Sequence, residues 1–329
     1  MASFTRFGND LYSGARSIDF IGHRRVFYLI AAVAILVSVV VPFLRGGYHF
    51  GIEFTGGSQY TVTGAPSALV SDTKIGADAV RSVVTNQEPT VSIVGGNGVR
   101  VQTTQVTADQ SDQITTALAN AYHVGRNDVA SSFIGATWGA DITSTAVRGL
   151  IVFLVLVTIV MAVYFRTWKM SVAALIALAH DLILTAGIYG IVGFEVTPAA
   201  VIGFLTILGY SLYDTVVVFD KVRENTERLT PDSPRTFAET VNLAINQTLV
   251  RSINTSIVAL LPIAGILFIG ALLLGAGTLR DISLALFIGI IVGTYSTICV
   301  AAPLYVDFRS TEPAIKLNTR RALTARARA

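Results

Sequence analysis

Six long, mostly apolar runs, each near the length needed to cross a lipid bilayer, constrain this chain more than any other feature. A helix needs about 20 mostly apolar residues to span the hydrocarbon. Val26–Leu44 qualifies, as do Leu150–Phe165 with its approach from near Ala146, Met170–Val192, Pro198–Phe219, Leu249–Leu274 and Ile282–Val306. Only 14% of the 329 residues are charged and 52% are hydrophobic, whereas soluble domains carry roughly 25% charge. The shortfall sits in the runs, and a polar block over 46–146 separates the first from the second. The pattern predicts a polytopic α-helical membrane protein with six spans and one aqueous domain.

The first run exceeds the 7–15 residues of a signal-peptide core, and no small-residue cleavage site follows it, so it reads as an uncleaved anchor. Lys and Arg set orientation, because they stay on the cytoplasmic side. They gather in the N-terminal tail (Arg6, Arg16, Arg24, Arg25), after the second run (Arg166, Lys169), after the fourth (Lys221, Arg223, Arg228, Arg235, Arg251) and in the C-terminal tail from Arg309 to Arg328. The loop Gly193–Thr197 has none and Gly275–Asp281 has only Arg280. Both termini are therefore expected in the cytoplasm. The division is 1–25 cytoplasmic, 26–44 first span, 45–146 extracytoplasmic, 147–306 spans two to six with a cytoplasmic loop over 220–248, and 307–329 a basic tail.

Within the polar block, Gln59–Thr63 reads as a strand. Lys74–Thr85 reads as a helix with Ile75, Ala79, Val80 and Val83 on one face. Val91–Val94 and Val99–Val106 flank Gly95-Gly96-Asn97-Gly98, a hairpin signal. Gln110–Tyr122 is a second helix and Val129–Ile134 a last strand. The order β-α-β-β-α-β is that of a ferredoxin-like α+β unit. Its carboxylates outnumber its bases, which argues against a grip on anionic surfaces. Basic residues elsewhere follow the loops rather than a patch, so nucleic acid is not an expected partner.

Ionisable side chains at membrane depth cost about 2.5–3.5 kcal/mol each, so they mark function or pairing. Asp214 lies in the fourth run and Arg251 at the cytoplasmic start of the fifth, at similar depth, where they could pair. His180 and Asp181 lie near the middle of the third. Gly203, Ile207, Tyr210 and Asp214 share one helical stripe with Thr206 beside it. Such a carboxyl group is open to two readings, a proton-binding switch or a fixed strut. Gly289 and Gly293, with Ala285 and Ser296, form a small-residue face suited to close helix packing, and Pro262 invites a kink. Asp232-Ser233-Pro234 and the Thr236-to-Glu239 spacing predict a helix start and a capping box, leading into an amphipathic helix along the interface. Cys299 is the single cysteine, which excludes a disulfide or thiolate metal cluster within the chain. No motif points to a catalytic nucleophile, metal, nucleotide or other cofactor.

Gly209-Tyr-Ser-Leu-Tyr-Asp214-Thr-Val-Val-Val-Phe-Asp220-Lys-Val-Arg-Glu-Asn225 resembles the signature of the SecD/SecF family, itself similar to the RND (resistance–nodulation–division) transporters. Gly51-Ile-Glu-Phe-Thr-Gly-Gly57, Phe133-Ile-Gly-Ala-Thr-Trp-Gly139, the run from Ala174 to Asp181, Asn246-Gln-Thr-Leu-Val-Arg251-Ser and the run from Arg280 to Ser296 extend the likeness from about Phe20 to Leu304. The resemblance implies half of an RND-like bundle, completed by six-helix SecD. It also implies a place beside the SecYEG translocon, with YajC and SecA or YidC, in the bacterial inner membrane. There, proton motive force helps draw unfolded polypeptide outward, with membrane lipids around the bundle. It assigns proton use to Asp214 and Arg251. Glu53 stands where the family has Asp, and Tyr213 where Asn commonly precedes the key Asp, removing an amide partner.

Three rival readings remain at this level. An intramembrane aspartyl protease would need Gly-x-Gly-Asp where this chain has Ala-His-Asp181. An RND-type exporter of small molecules or lipids would need a second half and larger outer domains. A structural assembly subunit would make Asp214 dispensable for export.

Overall fold

The computed structural model describes residues 2–94, 97–165, 167–227, 229–230, 232–273 and 277–328. Gly95 and Gly96 of the hairpin signal, Arg166 and Arg228 of the basic loops, Leu274 and Gly275 lie outside them. Among the described residues, six helices are long and apolar enough to cross a membrane: Arg24–Leu44, Ala136–Phe165, Trp168–Val192, Pro198–Glu227, Phe237–Gly270 and Leu279–Ser310, here spans 1 to 6. The chain is a multi-pass membrane protein.

Spans 3, 4 and 6 are the most buried, while spans 1, 2 and 5 turn most of their surface outward. Residue size explains the order. Span 3 offers Ala173, Ala174 and Ala177 to the core, and a Cβ at Gly190 would stand 2.6 Å from that of Pro42. Span 1 therefore lies directly on span 3, and bulkier side chains would separate them.

Strands β1 (His49–Phe50), β2 (Gly57–Val62), β3 (Thr90–Val94), β4 (Gly98–Thr103), β5 (Val129–Ile134) and β6 (Glu195–Val196) complete the skeleton. The sheet order β3-β4-β2-β5, antiparallel throughout, with helices Thr73–Arg81 and Ala108–Ala121 in the crossovers, is the split β-α-β-β-α-β topology. Tyr60, Val62, Val80, Val99, Val101, Ile114, Leu118 and Tyr122 are fully enclosed between sheet and helices, as the alternation in the strands demands. Thr107 and Gln110 cap the second helix reciprocally. Span 2 begins at Ala136, ten residues before the apolar run becomes visible in the sequence, because its first turns are packed under Phe54 and Gly56.

On the other end of the bundle the expectation of an interfacial helix is corrected. Thr236 and Glu239 do form the capping box, at 3.2 and 2.9 Å. The helix they start then runs unbroken from Phe237 to Ala264 and passes into a π-helical stretch, Gly265–Leu273. Its polar face meets protein instead of lipid headgroups. Asn242 Oδ1 accepts the Phe20 and Ile21 amides at 2.9 and 3.2 Å, and Asn246 Oδ1 accepts that of Ile18 at 2.8 Å. The basic tail is largely helical, Pro313–Arg328, and Asn318 Oδ1 accepts the Phe237 amide at 3.1 Å.

Candidate functional site: a polar layer between spans 3, 4, 5 and 6

Spans 4 and 6 meet along facing rows that repeat every four residues on each helix. Gly203 lies against Ala285, where an added Cβ would approach to 2.7 Å; a Cβ at Gly289 would overlap the Ile207 side chain; one at Gly293 would stand 3.0 Å from that of Ser211. The next rung is polar: the hydroxyls of Thr215 and Thr297 lie 3.0 Å apart, and span 6 turns π-helical from Thr297 to Ala301. Each rung pairs residues with the same offset, so the two helices run parallel and in register. The sequence stripe of Gly203, Gly289 and Gly293 is this contact. Tyr210 is only half-buried and Thr206 is exposed, so both lie at its margin.

This close approach brings the intramembrane carboxylates onto hydroxyl donors. Ser252 Oγ donates to Asp214 Oδ1 at 2.7 Å. Ser211 Oγ donates to Asp181 Oδ2 at 2.5 Å, and His180 Nδ1 lies 3.0 Å from Asp181 Oδ1. Asp181, Ser211, Ser252 and His180 are at most 2% exposed and Asp214 5%, so no pair is solvated from outside. Thr215 Oγ1 donates to the Ser211 carbonyl at 3.0 Å. Ser211, Asp214 and Thr215 thus join the third, fifth and sixth spans through the fourth. Within this layer, two buried polar atoms, Asp214 Oδ2 and His180 Nε2, find no hydrogen-bonding partner among the described residues. In a low-dielectric interior such atoms are costly to leave unpaired, and a proton, a bridging water or a changing partner can each meet that cost.

The expected pair of Asp214 with Arg251 is not formed. Arg251 is exposed and lines a cleft of about 560 Å³ with Tyr12, Tyr164, Asp220 and Gln247. It stays within electrostatic reach of Asp214, but its neighbour Ser252 holds the hydrogen bond. Adjacent helical positions diverge by about 100°, so one position can face Asp214 while the other faces the cleft. The same geometry disposes of Tyr213: it is 53% exposed and points away from Asp214, so its identity does not decide the hydrogen bonding there. Glu53 lies in the short helix Ile52–Thr55 ahead of the α+β sheet, far along the chain from this layer. Ser211, Ser252, Thr215 and Thr297 escaped the sequence reading. The four-residue spacing that starts at Gly203 and Ile207 marks Ser211 and Thr215, but nothing in the sequence distinguishes Ser252 from other membrane serines.

Fold and site together define a class: a multi-pass helical membrane protein with a sparse, hydroxyl-bonded set of carboxylates among its inner helices and a ferredoxin-like domain in the segment between spans 1 and 2. The family model described as protein export membrane protein SecD/SecF, C-terminal, matches residues 113–311. Protein translocase subunit SecF of Streptomyces coelicolor is 44% identical over 99% of this chain and 86% of its own length. The SecF subunit of Mycobacterium tuberculosis H37Rv is 40% identical over 96% of this chain and 72% of its length. The crystal structure of SecDF from Thermus thermophilus, described as a translocon-associated membrane protein, is similar with a TM-score of 0.77 and 32% identity, covering 90% of this chain and 39% of that one. The chain belongs to the SecD/SecF family.

Proposed function

We propose that this chain is an accessory subunit of the Sec protein translocase, working with a SecD-type partner to promote export of unfolded polypeptide through SecYEG under the proton motive force. The name of its close relatives supports the first part. The Thermus SecDF chain, of which this one spans 39%, supports the partnership, since the remainder has room for a second bundle half. YajC and SecA or YidC are the further neighbours that the family resemblance suggests. The membrane is the bacterial inner membrane, with residues 1–25, 220–248 and 307–329 in the cytoplasm and the α+β domain outside. In this reading the chain moves a proton and a polypeptide without catalysing covalent chemistry.

The observation that carries the coupling is Asp214, whose carboxyl group has one oxygen on Ser252 and the other without a hydrogen-bonding partner among the described residues of the bundle interior. A neutral carboxylic acid suits that position. Once it loses the proton the charge calls for a cation, and Arg251 is one residue from Ser252 on the same helix. Exchange of Ser252 for Arg251 opposite Asp214 requires span 5 to turn or slide against span 4. Proton loss and helix movement are thereby one event. Asp181 with His180, linked by Ser211 to the same helix, is a second member of the set. One charge carried through 100 mV is worth about 2.3 kcal/mol, so several protons per cycle supply a useful stroke.

The test is export of a secretory polypeptide into inverted membrane vesicles, with and without an imposed gradient. Asp214→Asn and Arg251→Ala are each expected to abolish the gradient-stimulated increment. Full stimulation in both variants would leave the structural assembly reading. An RND-type exporter of small molecules or lipids would instead fail to co-purify with SecD and SecYEG and would show transport of such compounds.

A further inference from the structure

A half-buried ionic contact, separate from the polar layer, ties the α+β domain to the helix that carries Asp214. Arg100 lies in β4, a central strand, and its Nη1 donates to Glu195 Oε2 at 2.7 Å; the two side chains are 19% and 16% exposed. Gln102, on the same sheet face, donates to Glu195 Oε1 and to Gln59 Oε1 at 3.0 Å. Both carboxylate oxygens of Glu195 are therefore held by the sheet. Glu195 itself is fixed to the membrane part. It lies in β6, paired in parallel with β1 in the register His49 to Glu195, and the Gly51 amide donates to the Val196 carbonyl at 3.0 Å. Two residues on, Thr197 Oγ1 donates to Asp281 Oδ2 at 2.8 Å, and the Tyr189 hydroxyl donates to the Asp281 carbonyl at 2.8 Å. The outer ends of spans 3, 4 and 6 are thus knotted together directly under Arg100.

Span 4 starts at Pro198, three residues past Glu195, and runs unbroken beyond Asp214 to Glu227. At 1.5 Å per residue, Asp214 is about 24 Å down a continuous rod from the contact. A helix is stiff along its axis, and an ion pair shielded from water gives way only at the cost of leaving one charge uncompensated. We propose that Arg100 and Glu195 are positioning residues that carry displacement of span 4 to the α+β domain. This rests on the proton-driven reading above. A simple brace would use the same contact to hold the domain in place, and the two roles separate in what gradient-driven export requires.

The experiment uses vesicles containing the whole translocase, with Arg100→Gln, Glu195→Gln, the charge-swapped pair Arg100→Glu/Glu195→Arg, and Asp214→Asn as reference. Protease resistance of the α+β domain and recovery of the partner subunit report assembly. Each single variant is expected to assemble, to retain export when the gradient is collapsed, and to lose at least about five-fold of the gradient-stimulated increment. The swap is expected to recover at least about half of it, because the Gln102 amide can turn to offer its carbonyl to an arginine. Assembled single variants with the full increment would overturn the proposal, as would an assembled swap that recovers nothing. If the single variants do not accumulate, the swap alone decides. Loss of the increment in Asp214→Asn with full stimulation in the Arg100 and Glu195 variants defeats this inference and spares the proton reading; full stimulation in Asp214→Asn defeats both.

Discussion

At the scale of single residues, Ser252 is the hydrogen-bond donor that holds one oxygen of Asp214. Ser252→Ala removes the donor at 2.7 Å and leaves both carboxyl oxygens unpaired in a buried place, a change of about 1–3 kcal/mol. The expected outcome is a lower midpoint of thermal unfolding in detergent for Ser252→Ala and near-normal behaviour for Ser252→Thr, which keeps a hydroxyl. Equal losses in both would assign the effect to packing. Asp214 itself was legible from sequence, because an ionisable group inside an apolar run is expensive and rare. Its donor was not, since a serine satisfies its own hydroxyl on the preceding turn in many membrane helices. Nor was the position of Arg251 legible. Depth along the membrane follows from residue counting, but the direction a side chain faces depends on how span 5 is rotated, which tertiary packing sets.

Among the elements, the ladder between spans 4 and 6 gives the sharpest test. Gly289→Ala places a methyl group on Ile207 and is expected to destabilise by about 1–3 kcal/mol, as overpacking does. Ile207→Ala in the same chain opens the space, so the double variant should be more stable than the sum of the singles predicts; strict additivity would contradict the contact. The end of span 6 is held by an ionic cluster. Glu312 receives Lys169 Nζ at 2.9 Å from the start of span 3 and Arg309 Nη2 at 2.8 Å. The Arg309 hydrogen bond foremost, with Lys169 adding to it, holds the Glu312 carboxyl below the usual glutamate range. Its contribution is therefore present above that range and lost as pH falls through the lowered value. Glu312→Gln should destabilise by about 1 kcal/mol at neutral pH, after discounting for partial exposure, and the difference from wild type should vanish in acid. A constant difference down to low pH would contradict the assignment. The small-residue stripe on span 6 was readable in the sequence, whereas its partner was not, because GxxxG spacing specifies a close approach without naming the opposing helix.

For the molecule as a whole, spans 1, 2 and 5 expose apolar surface, and span 4 leaves Ile202, Thr206, Gly209 and Tyr213 uncovered. A Cβ at Gly209 would meet nothing within 4 Å, so Gly209→Trp should leave this chain's own fold intact. If a SecD-type half covers that stripe, the substitution lowers co-purification several-fold; unchanged recovery would place lipid there instead. The α+β topology was open to sequence reasoning through its strand alternation and turn residues, but its attachment was not. Arg100 and Glu195 are 95 residues apart, and only the folded chain shows that the sheet and the loop before span 4 share an ion pair. The central claim is that the Asp214 carboxyl group binds and releases a proton as the bundle moves, and infrared difference spectroscopy of the reconstituted complex on changing pH tests it most directly. The account predicts a buried carboxylic-acid band that appears and disappears with the titration, persists in Asp181→Asn and is absent in Asp214→Asn. A band unchanged in Asp214→Asn would contradict it.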